Sequence, residues 1–93
     1  MTARPNRTPL PQDWEPVQHE LAPVRVQESE VAVRLTVRRS ADGAWRGQLR
    51  FVPPHGAERE TAEIFCADSE ADFWRAVRAL GQHHLRALYL SLA

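Results

Sequence analysis

The side chains of this chain that have the capacity for acid–base, metal or covalent chemistry are few: four histidines, one cysteine and arginines that recur at short intervals. His83 and His84 are adjacent in an apolar-periodic segment. Neighbouring residues on a helix point about 100° apart, so this pair does not chelate one ion from one helix, and neither has an i, i+4 partner of ligating type. His84 falls near the middle of the apolar face, the position of a hydrogen-bonded core histidine. His19, His55 and Cys66 come from separate segments without a recognisable ligand spacing. Cys66 precedes a helix cap, where a helix start lowers a thiol pKa, but strand alternation turns it inward as a small buried hydrophobe. No paired carboxylates fall in a cleft, and four glycines form no phosphate loop. The sequence therefore predicts a non-enzymatic protein with no cofactor and no metal site.

The arginines are the stronger pattern. In "VRRSADGAWRGQLRF", Val37 to Phe51, they recur on both sides of an Asp-Gly turn, and all twelve basic residues of the chain are Arg rather than Lys. Arg suits planar, bidentate recognition of phosphate or carboxylate; a coding bias toward Arg and Ala gives the same composition without any such role. The formal charge is zero, but it is segregated. Val31 to Val52 holds five Arg against one Asp, whereas Glu58 to Asp72 holds six acids against one Arg and Asp13 to Glu30 five acids against one Arg.

Ninety-three residues fit one domain with a thin core. A single cysteine excludes an internal disulfide, no apolar run reaches the ~20 residues of a membrane helix, and "MTARPNRTPLPQ" lacks the apolar centre of a signal peptide. A cytoplasmic location without membrane contact is expected. Residues 1–12 carry three prolines and little to bury, which predicts a disordered tail before a single small domain over residues 13–93.

The elements that position these residues follow from periodicity. "DWEPVQHELAP" spaces Trp14, Val17 and Leu21 at i, i+3 and i+7, which predicts a short helix or a tucked-in arm; "VRV" at Val24 to Val26 fits a short edge strand. In "EVAVRLTVRRS", Val31, Val33, Leu35 and Val37 alternate with polar residues, and Trp45, Gly47, Leu49 and Phe51 do the same. A two-residue Asp42-Gly43 loop sets apolar against polar residues. A three-residue loop, Ala41 to Gly43 with Gly43 left-handed, sets Leu35 opposite Leu49 and Val33 opposite Phe51. After the "PPHGA" loop, "ERETAEIFC" predicts a third strand with Ala62, Ile64 and Cys66 inward and Thr61, Glu63 and Phe65 outward. Ser69 to Asp72 resembles a capping box, and Phe73, Trp74, Val77, Leu80, Gly81, Leu85, Leu88 and Leu92 share one helical face. On that face Gly81 is expected to admit a bulky neighbour such as Trp45.

The predicted fold is α+β: a three-stranded antiparallel meander packed against one long C-terminal helix, with an N-terminal arm. It leaves two surfaces. The outer sheet face gathers Arg34, Arg38, Arg46, Gln48, Arg50 and Phe65, cations beside one stacking ring, the combination of single-strand nucleic-acid binders; as a purely solvated face, its arginines pair with Glu63 and with acids of the N-terminal arm. The helix flank carries Ala76, His83, Ala87 and Leu90, a small-residue stripe suited to a homodimer contact. A protein-interaction or regulatory module, bound to itself or to another protein, is the expected function, with single-stranded nucleic-acid binding as the alternative.

Overall fold

The computed structural model describes residues 15–92; the tail expected over residues 1–12, and Trp14, lie outside them. Five strands and two helices follow in the order β1 (Val17–Val26), β2 (Ser29–Arg39), β3 (Trp45–Val52), β4 (Arg59–Glu60), β5 (Phe65–Ala67), α1 (Glu70–Arg78) and α2 (Gln82–Ser91). The fold is a small α+β domain with an antiparallel sheet, but among the described residues the sheet has five strands rather than three and there are two helices rather than one. Strand order is β1-β2-β3-β4, with β5 on the same edge of β3 as β4.

The central hairpin follows from alternation. Val33 faces Phe51, Leu35 faces Leu49, Arg34 faces Arg50 and Arg38 faces Arg46. Slipping by one residue exposes every buried side chain of β2, so the register is strongly specified. Ser40 and Ala44 close a loop of Ala41, Asp42 and Gly43 through Ser40 N–H to Ala44 O (3.0 Å) and Gly43 N–H to Ser40 O (2.8 Å), and Gly43 adopts φ +87°. An L side chain is rarely found at that φ, which is the reason for glycine at this point.

Val17 to Leu21, expected as a helix or tucked-in arm, belong to β1. They pair with β2 in a ten-residue strand that also absorbs the expected short strand at Val24 to Val26. A bulge separates Leu21 from Val24 and accommodates Pro23, which has no N–H for a ladder. Gln82 Nε2 donates to Pro23 O (3.1 Å) and Arg86 Nε to Arg25 O (3.0 Å). These side chains of α2 occupy the later half of the strand's edge, which protects it from pairing with another chain.

The expected third strand is interrupted and its faces are reversed. Arg59 pairs with Phe51 and Phe65 with Gly47, so the five residues between Arg59 and Phe65 lie against three of β3 and two are extruded. Thr61 holds the break: its N–H donates to Leu49 O (2.9 Å) and its hydroxyl accepts from Leu49 N–H (3.0 Å). Phe65 and Thr61 are consequently buried, whereas Ile64 and Cys66 are exposed.

The expected long helix breaks at Leu80-Gly81. Ser69 caps α1 by accepting from Asp72 N–H (3.2 Å), and Gly81, extended at φ −91°, is the N-cap of α2. The break removes the expected overhang and lets α1 pack on β3 and β5 while α2 packs on β1. It also re-phases the buried face. Phe73, Val77 and Leu85 are buried as expected and Tyr89 joins them, while Trp74, Leu80, Leu88 and Leu92 pack at the margin. The glycine that admits a bulky ring is Gly47, not Gly81: a Cβ at Gly47 falls 2.6 Å from Phe73 Cζ, whereas at Gly81 the nearest atoms lie 3.4 Å away.

Candidate functional site

On the outer sheet face, cross-strand pairing brings Arg34, Arg38, Arg46 and Arg50 into one column, and each has a carboxylate. Arg38 makes a two-pronged pair with Glu63 (2.5 and 2.9 Å), and Arg34 Nε lies 3.5 Å from Glu20 on β1. Arg46 Nη2 donates to Asp42 (3.2 Å), and Arg50 Nη2 donates to Glu60 (2.9 Å) with Glu58 at 3.8 Å. Gln48 Nε2 donates to Thr61 O (3.3 Å). The mutual hydrogen bonds of Arg38 and Glu63 raise the first pKa and lower the second, both directions favouring the ion pair. These pairs are exposed, so each contributes little to stability. Phe65 does not join the face: it lies in the core, its ring centroid 5.9 Å from that of Phe73. Cations are present without the stacking ring.

Asp42 organises the hairpin loop beside this column. Its carboxylate accepts from the Ser40 hydroxyl and from Ala44 N–H (3.0 Å), as well as from Arg46, and its pKa falls to about 2, chiefly through Ser40 and then Ala44. Because the folded value lies below the ordinary 3.8, the stabilisation from this group is complete above 3.8 and disappears as pH falls through about 2. Carbon-13 detection of the Asp42 carboxyl should give a midpoint near that lower value; titration at the ordinary value would contradict the loop geometry.

The helix flank is divided by the break. Ala76 lies on α1, while His83, Ala87 and Leu90 lie on α2, all four exposed. His84, expected in the core, is exposed too; its Nδ1 accepts from Gly81 N–H (3.3 Å) and its ring stacks on that of His83 at 4.0 Å. Among the described residues, no group of three or more His, Cys, Asp and Glu side chains is placed to hold a metal ion. None of their helices is long and apolar enough to cross a membrane.

The surface that sequence reasoning missed is a trough of two hollows along β1, the first against α1 and the second against the end of α1 and the start of α2. The inner-facing residues of β1 at this end are Val17, His19 and Leu21, across from Val37, Leu35 and Val33. Since α1 packs toward the β3–β5 side and α2 on β1, neither helix fully covers them. One hollow of about 210 Å³ is lined by Val17, His19, Val37, Trp45 and Trp74; a second of about 420 Å³ is lined by Leu21, Val77, Leu80 and Leu85. Val17 is 55% exposed. His19 meets Trp74 edge-on with centroids 5.0 Å apart, and Trp74 Nε1 donates to Glu70 (3.4 Å). Alternation of Val17, His19 and Leu21 is the signal that finds this strand. The trough is open and its walls are mostly apolar, with Glu15, Arg38, Arg39 and Glu70 around the first hollow and Arg78 and Gln82 around the second.

Comparison of the chain with protein-family models, with curated proteins and with solved structures finds no match.

Proposed function

We propose that this chain is a non-enzymatic protein-interaction module that seats an apolar segment of a partner in the trough along β1, the first partner being a second copy of itself. The observation that carries the reading is the trough: two tryptophans and an open row of apolar residues, with Val17 55% exposed. A domain of this size gains core by covering such a surface, and a self-complementary patch closes into a two-fold dimer. The arginine column supports nucleic-acid binding less well. Its heads already hold carboxylates, which a phosphate must displace, and no stacking ring stands among them.

Light scattering at tens of micromolar should give twice the chain mass of 10.6 kDa. Trp74→Glu should return it to one chain, because the substitution sets a charge in the trough while leaving the contacts of Phe73 with Phe65 and Trp45 beneath. Leu90→Glu separates this trough from the α2 flank of His83, Ala87 and Leu90: it should leave the mass doubled. A one-chain mass for the unmutated protein contradicts self-association, and a dimer split by Leu90→Glu alone transfers the contact to α2.

A further inference from the structure

At the far end of the molecule, where the β1–β2 turn, the loop after β3 and the end of α2 meet, Arg59 occupies an unusual position. It pairs with Phe51 across β4 and β3, so its side chain points to the helix-covered face of the sheet rather than to the outer arginine column. Its guanidinium lies over the Tyr89 ring, 4.2 Å from the centroid, and Nη1 donates to Tyr89 O (3.0 Å). The flanking acids Glu58 and Glu60 turn away to Arg50 on the opposite face. Among the described residues, Arg59 has no carboxylate within 4 Å, in contrast to all four arginines of the column.

A guanidinium stays charged at any ordinary pH, and five N–H groups in a rigid fork match a carboxylate in two-pronged fashion. Here stacking and one carbonyl fix the plane, and among the described residues the remaining donors have no partner. They border a hollow of about 290 Å³ whose other polar walls include His55 and Ser29, with Val31, Pro53 and Leu90 as apolar walls. A half-buried cation without a counter-charge is costly unless an anion completes it.

We propose that this hollow is a binding site for a carboxylate attached to a short apolar body, with Arg59 gripping the carboxylate and Val31, Pro53 and Leu90 receiving the body. The shared chemistry has two sources, a free small carboxylic acid or the terminal carboxylate of a polypeptide. Neither depends on the trough or on self-association.

The test is a proton–nitrogen NMR titration of the full chain, following Arg59 Nε–H and the Tyr89 and His55 amides. The probes are 4-methylpentanoate, its amide, and acetyl-leucyl-leucine as free acid and as amide. Saturable shifts at these three residues with an acid, absent with the matching amide, are expected. Arg59→Gln should abolish them, and Arg59→Lys should weaken binding roughly tenfold by losing the two-pronged grip. Tighter binding of the peptide acid than of 4-methylpentanoate identifies a polypeptide terminus as the source; equal or weaker binding identifies a small acid. Because the acid–amide comparison on the unmutated protein needs no variant, it decides the matter even if Arg59→Gln lowers stability. No saturable shift with either acid, or equal shifts with acid and amide, overturns the proposal.

Discussion

Phe73→Ala is expected to destabilise the domain by about 3–5 kcal/mol, the usual range for emptying a buried phenylalanine site. Phe73 is fully buried and its ring meets three others, with centroids at 5.4 Å from Trp74, 5.9 Å from Phe65 and 6.4 Å from Trp45. It is the side chain by which α1 is fixed to β3 and β5. The loss compares with a total of roughly 5–15 kcal/mol for a domain, so the variant should be largely unfolded at modest urea concentrations. Chemical denaturation followed by circular dichroism checks this; a loss below about 1 kcal/mol would mean that α1 is held by something other than this cluster.

The second large effect concerns the surface that receives that ring. Gly47→Ala sets a methyl 2.6 Å from Phe73 Cζ, 3.0 Å from Cε1 and 3.2 Å from Leu35 Cδ1. Phe73 and Leu35 are both fully buried, so neither swings into open space. Overpacking of this kind costs about 1–3 kcal/mol. Phe73→Leu in the same chain removes the colliding edge, so the double variant should lose less than the two single losses added together. Strict additivity in a denaturation cycle would contradict the proposed contact. Gly47 is required for close packing, whereas Gly43 is required for its left-handed φ.

Legibility of the fold varied with how much of each element one face buries. For β2 and β3 alternation was unambiguous, and it gave the register, the three-residue loop and the arginine column together. The pairing of Arg38 with Glu63 and of Arg34 with Glu20 also agrees with the solvated-face reading of that column. For β1 it was weak, because an edge strand beside an open trough carries one exposed valine and one histidine on its inner side. The i, i+3, i+7 spacing of Trp14, Val17 and Leu21, with Asp13 as a possible cap and Pro16 tolerated in a first turn, fits a short helix equally well. The segment after β4 misled for another reason: extrusion of two residues and capture of the Leu49 N–H by Thr61 are tertiary events with no periodic trace. Gly81 lay on a helical face that seemed continuous, and an eight-position apolar period does not reveal that the helix stops there. The trough was invisible for the same two reasons, since it exists only where the strand at 17–21 meets α1 and the break that separates α1 from α2.

The proposed working surface is the trough and not the arginine column, and one NMR experiment compares them directly. Amide, Trp Nε1 and Arg Nε signals are recorded on dilution from about 1 mM to 10 μM and then on adding a single-stranded oligonucleotide at physiological salt; solvated arginine pairs leave non-specific affinity no tighter than about 10⁻⁴ M. Dilution should move Val17, His19, Leu21, Trp74 and Val77 together, while the oligonucleotide leaves Arg34, Arg38, Arg46 and Arg50 in place at micromolar concentrations. Micromolar binding that shifts those four arginines and is lost in Arg38→Ala with Arg46→Ala, with trough signals unchanged on dilution, would contradict that role for the trough.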